Sequence, residues 1–297
     1  MTLSHPLQPR PLLQKFVHPF AASRGHADAQ PQARSLGRLG TLEVRLALSP
    51  AEIRAAQALR YRVFFKEMSA ESSWRQRLTR RDTDAFDAAC DHLLVLDHAQ
   101  AENGRPAIVG TYRLLRQDRA PQGRFYSDDE FDIATLMARQ SGLNFLELGR
   151  SCVLKPYRDK RTVELLWQGI WAYVLEHGCD VLLGCASLEG TEPERLALPL
   201  SYLHHFHRAP EDWRASARCE RLVAMDMLPR EAIDPRAALR TLPPLVKGYL
   251  RLGCYIGDGA VVDHKFGTTD VLIVLPRSAI NPRYVHYYGE SADRHAA

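Results

Sequence analysis

Between Leu146 and Ala186 the chain passes from strand to helix to strand with almost no linker, and this stretch constrains the fold most. Leu146 to Leu154 reads as a strand. Thr162 to Glu176 keeps helical spacing of its apolar residues up to Gly178, a favoured helix stop. Val181 to Ala186 is a short apolar run that reads as the next strand. Upstream, Thr41 to Leu48 alternates with period two and predicts a strand. Ser49-Pro50 supplies an N-cap and first helical residue, with Ile53, Ala56, Leu59 and Val63 at helical spacing behind it. A polar, arginine-rich loop and a short helix near Thr83 to Ala89 are expected next. His92 to Leu96 and Ile108 to Leu115 then form two strands joined by the turn Glu102-Asn103-Gly104-Arg105-Pro106. Pro193 to Phe206 predicts a helix, Cys219 to Ala224 and Val271 to Leu275 predict strands, and Pro243-Pro244 to Gly253 brackets a short helix. The order implies an α/β (α+β) chain whose mixed, mostly antiparallel sheet is flanked by helices.

The 297 residues are long enough for a sizeable core. Residues 1–40 hold Arg10, Lys15, Arg24, Arg34 and Arg38 against the single acid Asp28, and read as a mobile basic arm. Residues 41–297 are expected to form one domain with a C-terminal elaboration. The net charge of +4 is too mild to argue for a nucleic-acid partner. None of the six cysteines makes a C-x-x-C pair, and most stand in apolar runs, which suits a reducing compartment. With no apolar run long enough for a bilayer and no secretory signal order, a cytoplasmic location is expected, the arm resting peripherally on an anionic membrane. His204, His205 and His207 lack any metal-ligand spacing and are read as surface residues, so no metal is expected.

The chemistry concentrates around Glu147-Leu148-Gly149-Arg150-Ser151-Cys152-Val153. Alternation puts Glu147, Gly149, Ser151 and Val153 on one sheet face, with Arg150 and Cys152 on the other. A glycine inside such a strand predicts a bulge, which can free a backbone N–H for an oxyanion. The same residues serve equally well as a sheet-edge salt bridge between Glu147 and Arg150, and both readings stand at this point. Lys155-Pro156-Tyr157-Arg158-Asp159-Lys160-Arg161-Thr162 leads into the helix as a basic turn, a phosphate cradle without its glycines or simply a solvated face. Arg75, Arg77, Arg80 and Arg81 form a second basic cluster; the two together suit an acidic protein or a phosphate. Asp84 and Asp87, one turn apart, can hold an ammonium group or cap the local helix. Cys152 and Cys185 have no histidine partner in view and read as buried cysteines rather than nucleophiles.

Taken in order, these residues resemble a known family. Leu59-Arg60-Tyr61-Arg62-Val63-Phe64, Trp74, Asp84-Ala85-Phe86-Asp87, Gly110 through Leu115 and Glu147 through Arg150 are similar to the acyl-homoserine-lactone synthases. The closer resemblance is to the L-ornithine N-alpha-acyltransferases, a hemolysin-like family of the GNAT fold that begins ornithine-lipid synthesis. It is carried by Cys90 through Val95, Phe125-Tyr126-Ser127, Glu130-Phe131-Asp132, Glu147 through Val153, Gly184 through Ser187, Leu242 through Leu252, Gly257 through Asp263 and Thr268 through Val271. It runs from about Leu42 to about Tyr288. Gly149 departs from the serine usual in the lactone synthases.

The resemblance implies transfer of a fatty acyl group, 3-hydroxylated or not, from acyl carrier protein to the α-amine of L-ornithine, giving lyso-ornithine lipid, with no cofactor beyond the carrier's phosphopantetheine. It implies Glu147 as general base and Arg150 as its partner or the holder of the substrate carboxylate. It implies Asp84 and Asp87 for the side-chain ammonium, Arg60 and Arg113 as site-lining arginines, and Val153, Arg158, Lys160, Arg161 and Thr162 for the carrier arm. The basic side chains at 158–161, where coenzyme A users have glycines, are expected to meet acidic carrier helices. A lactone synthase or another amino-acid N-acyltransferase is the enzyme alternative. A membrane-active protein is the non-enzyme alternative, against which stands the lack of any long amphipathic segment.

Overall fold

The structure is a computed structural model that describes residues 34–68 and 70–281. Residues 1–33 of the expected arm, and 282–297 at the other end, lie outside the described residues. The described part of the arm is not separate from the domain: Gly37–Leu39 (β1) pairs antiparallel with Leu42–Leu46 (β2), so the sheet begins before Thr41.

Helix Pro50–Tyr61 (α1) follows as its signals require. The Ser49 hydroxyl accepts the Glu52 N–H, and Pro50 occupies the first turn, where it forfeits no hydrogen bond. A π-helical turn, Arg62–Glu67, and the short helix Trp74–Thr79 (α2) lead away from it. Residues 85–89 are turns, and 83–84 irregular, rather than the expected helix. Here Asp87 accepts the Asp84 N–H and Asp84 accepts the Phe86 N–H, so side-chain bonds replace a helical ladder. Asp91–Glu102 (β3) and Arg105–Arg116 (β4) make a hairpin longer than the apolar pattern suggested, closed by Asn103 and Gly104, both at positive φ.

Helix Ile133–Arg139 (α3), too short for a periodic signal, precedes Phe145–Val153 (β5). Helix Lys160–Glu176 (α4) connects it to Val181–Glu189 (β6). Ala197–His207 (α5), Leu222–Val223 (β7), Pro235–Thr241 (α6), Pro244–Leu252 (α7), Tyr255–Asp263 (β8) and Thr268–Pro276 (β9) complete the described chain. Only two residues of the expected strand at 219–224 pair. Strand β8 went unseen because Gly257 and Gly259 break its alternation at a bulge.

The strands form one nine-stranded sheet in the order β1-β2-β3-β4-β5-β6-β9-β8-β7. Every neighbouring pair is antiparallel except β5 and β6, which the α4 crossover makes parallel. Alternation assigns the two faces. Leu114, Leu182 and Ile273 pack with Leu165, Ile170, Leu203 and Val246 of α4, α5 and α7. Leu115, Leu183 and Leu272, their neighbours in sequence, pack instead with Ile133 and Leu136 of α3.

Candidate active site

The parallel pair holds together over only Phe145–Glu147 and Val181–Leu183. Beyond it β5 has β4 on one side and no strand on the other. Gly184 sits where the two part, and a Cβ there would collide with the Leu148 carbonyl, so only glycine allows this approach.

Along the opened part, two β5 residues, Arg150 and Ser151, stand opposite the single residue Tyr112 of β4. The expected bulge is present, but Arg150 rather than Gly149 takes the left-handed conformation, at φ +51°. The extra residue reverses the parity beyond it. Cys152 pairs with Thr111, on the face shared by Glu147 and Gly149, and Val153 falls on the opposite face beside Gly110. The expected separation of Glu147 from Arg150 is therefore corrected, because the bulge turns the guanidinium back toward the glutamate's side.

That guanidinium enters a buried ion cluster. Arg150 lies 3.2 Å from Asp82 and 3.2 Å from Asp84. Arg113 holds Asp84 at 2.6 Å, and Arg60 holds Asp82 at 3.0 Å and Asp87 at 2.8 Å. Burial pushes the Asp84 carboxyl up, but Arg113 and Arg150 outweigh it and keep it below the ordinary carboxylate range. Three arginines thus occupy the carboxylates expected to take an ammonium, which corrects the assignment of Asp84 and Asp87. Arg60, fully buried, is not among the residues that line the cleft; with Arg113 it holds the cluster in shape. Tyr126 covers Arg150, its ring 4.5 Å from the guanidinium, with Phe266 on another side at 5.0 Å.

Glu147 is buried, and its carboxylate accepts the N–H of Tyr126 at 2.8 Å, the N–H of Ser127 at 2.7 Å and the Ser127 hydroxyl at 2.6 Å. Burial raises its pKa, opposed by these donors and by Arg113. Three of the carboxylate's roughly four acceptor positions are taken, which leaves room for one more partner. Glu147 and Arg150 both line a cleft of about 140 Å³ at the parting of β5 and β6, together with Tyr126, Ser127, Cys185 and Phe266.

The far wall of this cleft escaped the sequence reading. Asp263 and Asp270 line it, and Glu130 lies behind Cys185, whose thiol donates to it at 3.2 Å. Burial and the like charge of Asp270 push the Glu130 carboxyl up to about 7, and burial raises Asp270 as well. Arg221, 3.6 Å from Glu130, is the one cation within ion-pair distance among the described residues. The Cys185 thiol, pushed well above its ordinary range by burial and by Glu130, stays protonated and is a poor nucleophile. Oxygens of Glu130 and Asp270 and the Cys185 sulfur lie within 4.8 Å of one another, close enough to hold a cation between them. Glu130 stands inside a quoted motif, but nothing in the motif shows that β8 and β9 bring two more carboxylates to it.

The basic turn is less open than expected. Arg158 is held by Glu67 at 2.5 Å and by the Val153 carbonyl at 2.9 Å, and Lys160 reaches Glu164 at 3.3 Å. Asp159 caps α4 by accepting the Thr162 N–H, so a carboxylate of the chain itself occupies the place expected for a phosphate. Thr162 is fully buried, whereas Lys160 and Arg161 remain exposed. The histidines of α5 bond within the fold, His205 to the Leu228 carbonyl and His207 to the Tyr202 hydroxyl.

Residues 59–168 match the acetyltransferase (GNAT) domain family. Among solved structures the chain is similar to FeeM, an N-acyl amino acid synthase from uncultured soil microbes, at 12% identity and a TM-score of 0.45, covering 82% of this chain and 97% of that one. The family match and the nine-stranded fold define an acyltransferase of the GNAT class. The chain is 57% identical over 269 residues to the L-ornithine N(alpha)-acyltransferase of Rhizobium meliloti (strain 1021), covering 90% of this chain and 91% of that protein. It is 55% identical over 267 residues to the enzyme of the same name from Agrobacterium fabrum (strain C58 / ATCC 33970), with 90% and 91% covered. This chain belongs to the L-ornithine N(alpha)-acyltransferase family.

Proposed function

We propose that the protein acylates the α-amine of L-ornithine with a 3-hydroxy fatty acyl group from acyl carrier protein, and that the product is lyso-ornithine lipid. The observation that carries this reading is the polarity of the cleft. Arg150 presents a guanidinium at one wall, while Asp263 and Asp270, with Glu130 behind Cys185, crowd like charges at the other. A basic amino acid matches both: its carboxylate meets Arg150 and its side-chain ammonium relieves the repulsion among the carboxylates. Its α-amine is then left between the walls, near Glu147.

The reaction is direct aminolysis. The free acceptor position of Glu147 takes a proton from the α-ammonium, and burial makes that carboxylate more basic than an exposed one. The amine attacks the thioester carbon, and the oxyanion lies along the opened edge of β5, where main-chain N–H groups have no partner strand. Collapse breaks the C–S bond, and the second amine proton leaves with the phosphopantetheine thiol. The donor's pantetheine arm runs past Val153 along this edge, with Lys160 and Arg161 meeting the acidic carrier. The enzyme works in the cytoplasm, with peripheral contact at the inner membrane. No helix among the described residues is long and apolar enough to cross a membrane.

Incubation of the purified protein with 3-hydroxyacyl carrier protein and a panel of amino acids tests this by mass spectrometry. Acylation of ornithine at its α-amine, in preference to neutral amino acids of similar size, is expected. Equal use of neutral amino acids would remove the polar-cleft reading.

A further inference from the structure

Helix α2 offers the solvent an unusual combination. Trp74 and Leu78, one turn apart and on one face, are 64% and 77% exposed. From Ala70 to Arg81 four arginines stand against one acid, Glu71. Among the described residues, no carboxylate lies within salt-bridge distance of Arg75, Arg77, Arg80 or Arg81. Arg75 instead lies over the Trp74 ring at 5.3 Å. The helix is not loosely attached. Gln76 is buried, its Oε1 accepts the Ser73 N–H at 2.9 Å, and Ser73 completes a capping box. The fold therefore pins one side of α2 and presents its apolar pair and its arginines outward.

We propose that α2 is a docking surface for an anionic lipid bilayer. Charge alone would suit an acidic protein equally, but a charge-reading partner has no use for a protruding tryptophan and leucine. A bilayer surface takes both. The indole and the leucine enter the boundary between headgroups and acyl chains, while the arginines reach the phosphates. Place in the fold supports the same partner. Met68 and Ala70, which line the cleft, stand six and four residues before Trp74 in the chain, so α2 begins only a few residues from the cleft. An acylated amino acid leaving the cleft would pass directly into lipid. This last point rests on the acyl-transfer reading, whereas the lipid binding does not.

The full-length protein, without substrates, is mixed with vesicles of phosphatidylcholine alone or with added phosphatidylglycerol, then followed by cosedimentation and tryptophan emission. Trp167 and Trp171 are buried and Trp213 is half-buried, so Trp74 reports most strongly. Cosedimentation and a blue shift are expected only with the anionic vesicles, both reversed by high salt. Trp74→Phe should abolish the shift and retain sedimentation. Replacing Trp74 and Leu78 together by Ala should weaken partitioning by about tenfold or more. Each Arg→Ser change at 75, 77 or 80 should weaken it about fivefold. These side chains are exposed, and circular dichroism checks that each variant is folded. The proposal is overturned by failure to sediment with anionic vesicles, or by sedimentation that these substitutions leave unchanged, which would assign it to residues 1–33. It is also overturned if Trp74 emission responds to acidic carrier protein and not to vesicles. None of these outcomes bears on acyl transfer, which is measured separately.

Discussion

Ser127 binds Glu147 twice at a single oxygen: its N–H lies 2.7 Å and its hydroxyl 2.6 Å from Oε1. The Tyr126 N–H takes the other oxygen at 2.8 Å, so the carboxylate both faces the cleft and orients the turn that carries Tyr126 over Arg150. One side chain therefore links the proposed proton acceptor to the proposed carboxylate clamp.

Glu147→Gln should lower turnover by about a hundredfold, the scale of a lost general base. The amide nitrogen cannot accept an N–H, so one main-chain donor loses its partner at about 1–3 kcal/mol of stability. Steady-state kinetics beside thermal unfolding separate the two effects. Near-normal turnover in a folded variant would transfer the base role elsewhere.

At Arg150 two substitutions separate backbone from side chain. Arg150→Ala keeps a Cβ in the left-handed conformation, whereas Arg150→Gly does not, so the glycine variant should be the more stable of the two by about 1 kcal/mol. Both lose the guanidinium, and both should raise the acceptor KM well above that for the acyl donor. Equal stability would mean that the conformation at 150 carries no cost.

Glu130 determines a pH dependence. It faces Cys185 on β6, Asp270 on β9, Asp263 on β8 and Arg221 in the loop before β7. Its carboxyl titrates at about 7 when folded, against an ordinary 4.5. Between those values the folded chain holds a proton that the unfolded chain has released, so this group's contribution to stability falls as pH rises through the window. Glu130→Gln holds no titrating proton and should become the more stable protein above pH 7, by about 3 kcal/mol at most. Cation binding needs the ionised form, so the wild-type acceptor KM should fall as pH rises through about 7. In the variant it should be about tenfold higher and flat with pH. A wild-type acceptor KM without inflection near 7 would remove Glu130 from the acceptor site.

For the acyl donor, charge complementarity acts mainly on association and is screened over about 8–10 Å at physiological salt. The kcat/KM for acyl carrier protein should drop steeply with salt while kcat changes little. Replacing Lys160 and Arg161 by Ala should flatten that slope; Arg158, tied to Glu67, should matter less. Efficient, salt-insensitive turnover with acyl-coenzyme A would defeat carrier docking and leave acyl transfer standing.

Local signals were legible where one or two residues decide the backbone. Ser49-Pro50 starts α1, Asn103-Gly104 turns the β3–β4 hairpin, and Gly253 at φ +98° stops α7, each through its own conformational preference. The order of the longer strands and helices other than β8 followed from periodicity, and with it the mixed, mostly antiparallel sheet. Short elements such as α2, α3 and α6 were not legible, because six or seven residues are held by packing rather than by a periodic face.

The sequence by itself determined that Glu147, Gly149 and Arg150 share a strand that opens into a helix, because strand and helix periods are local properties of the chain. Which face Arg150 takes was decided by the tertiary structure. One unpaired residue reverses side-chain parity, and only pairing with β4 shows where it falls. The fate of the acids was decided the same way. Asp84 and Asp87 are neutralised by arginines from α1, β4 and β5, while Glu130, Asp263 and Asp270 converge from separate segments with Arg221 alone within ion-pair distance among the described residues. A carboxylate's charge is written in the sequence, but whether it is spent on the fold or left for a ligand depends on what the folded chain places beside it.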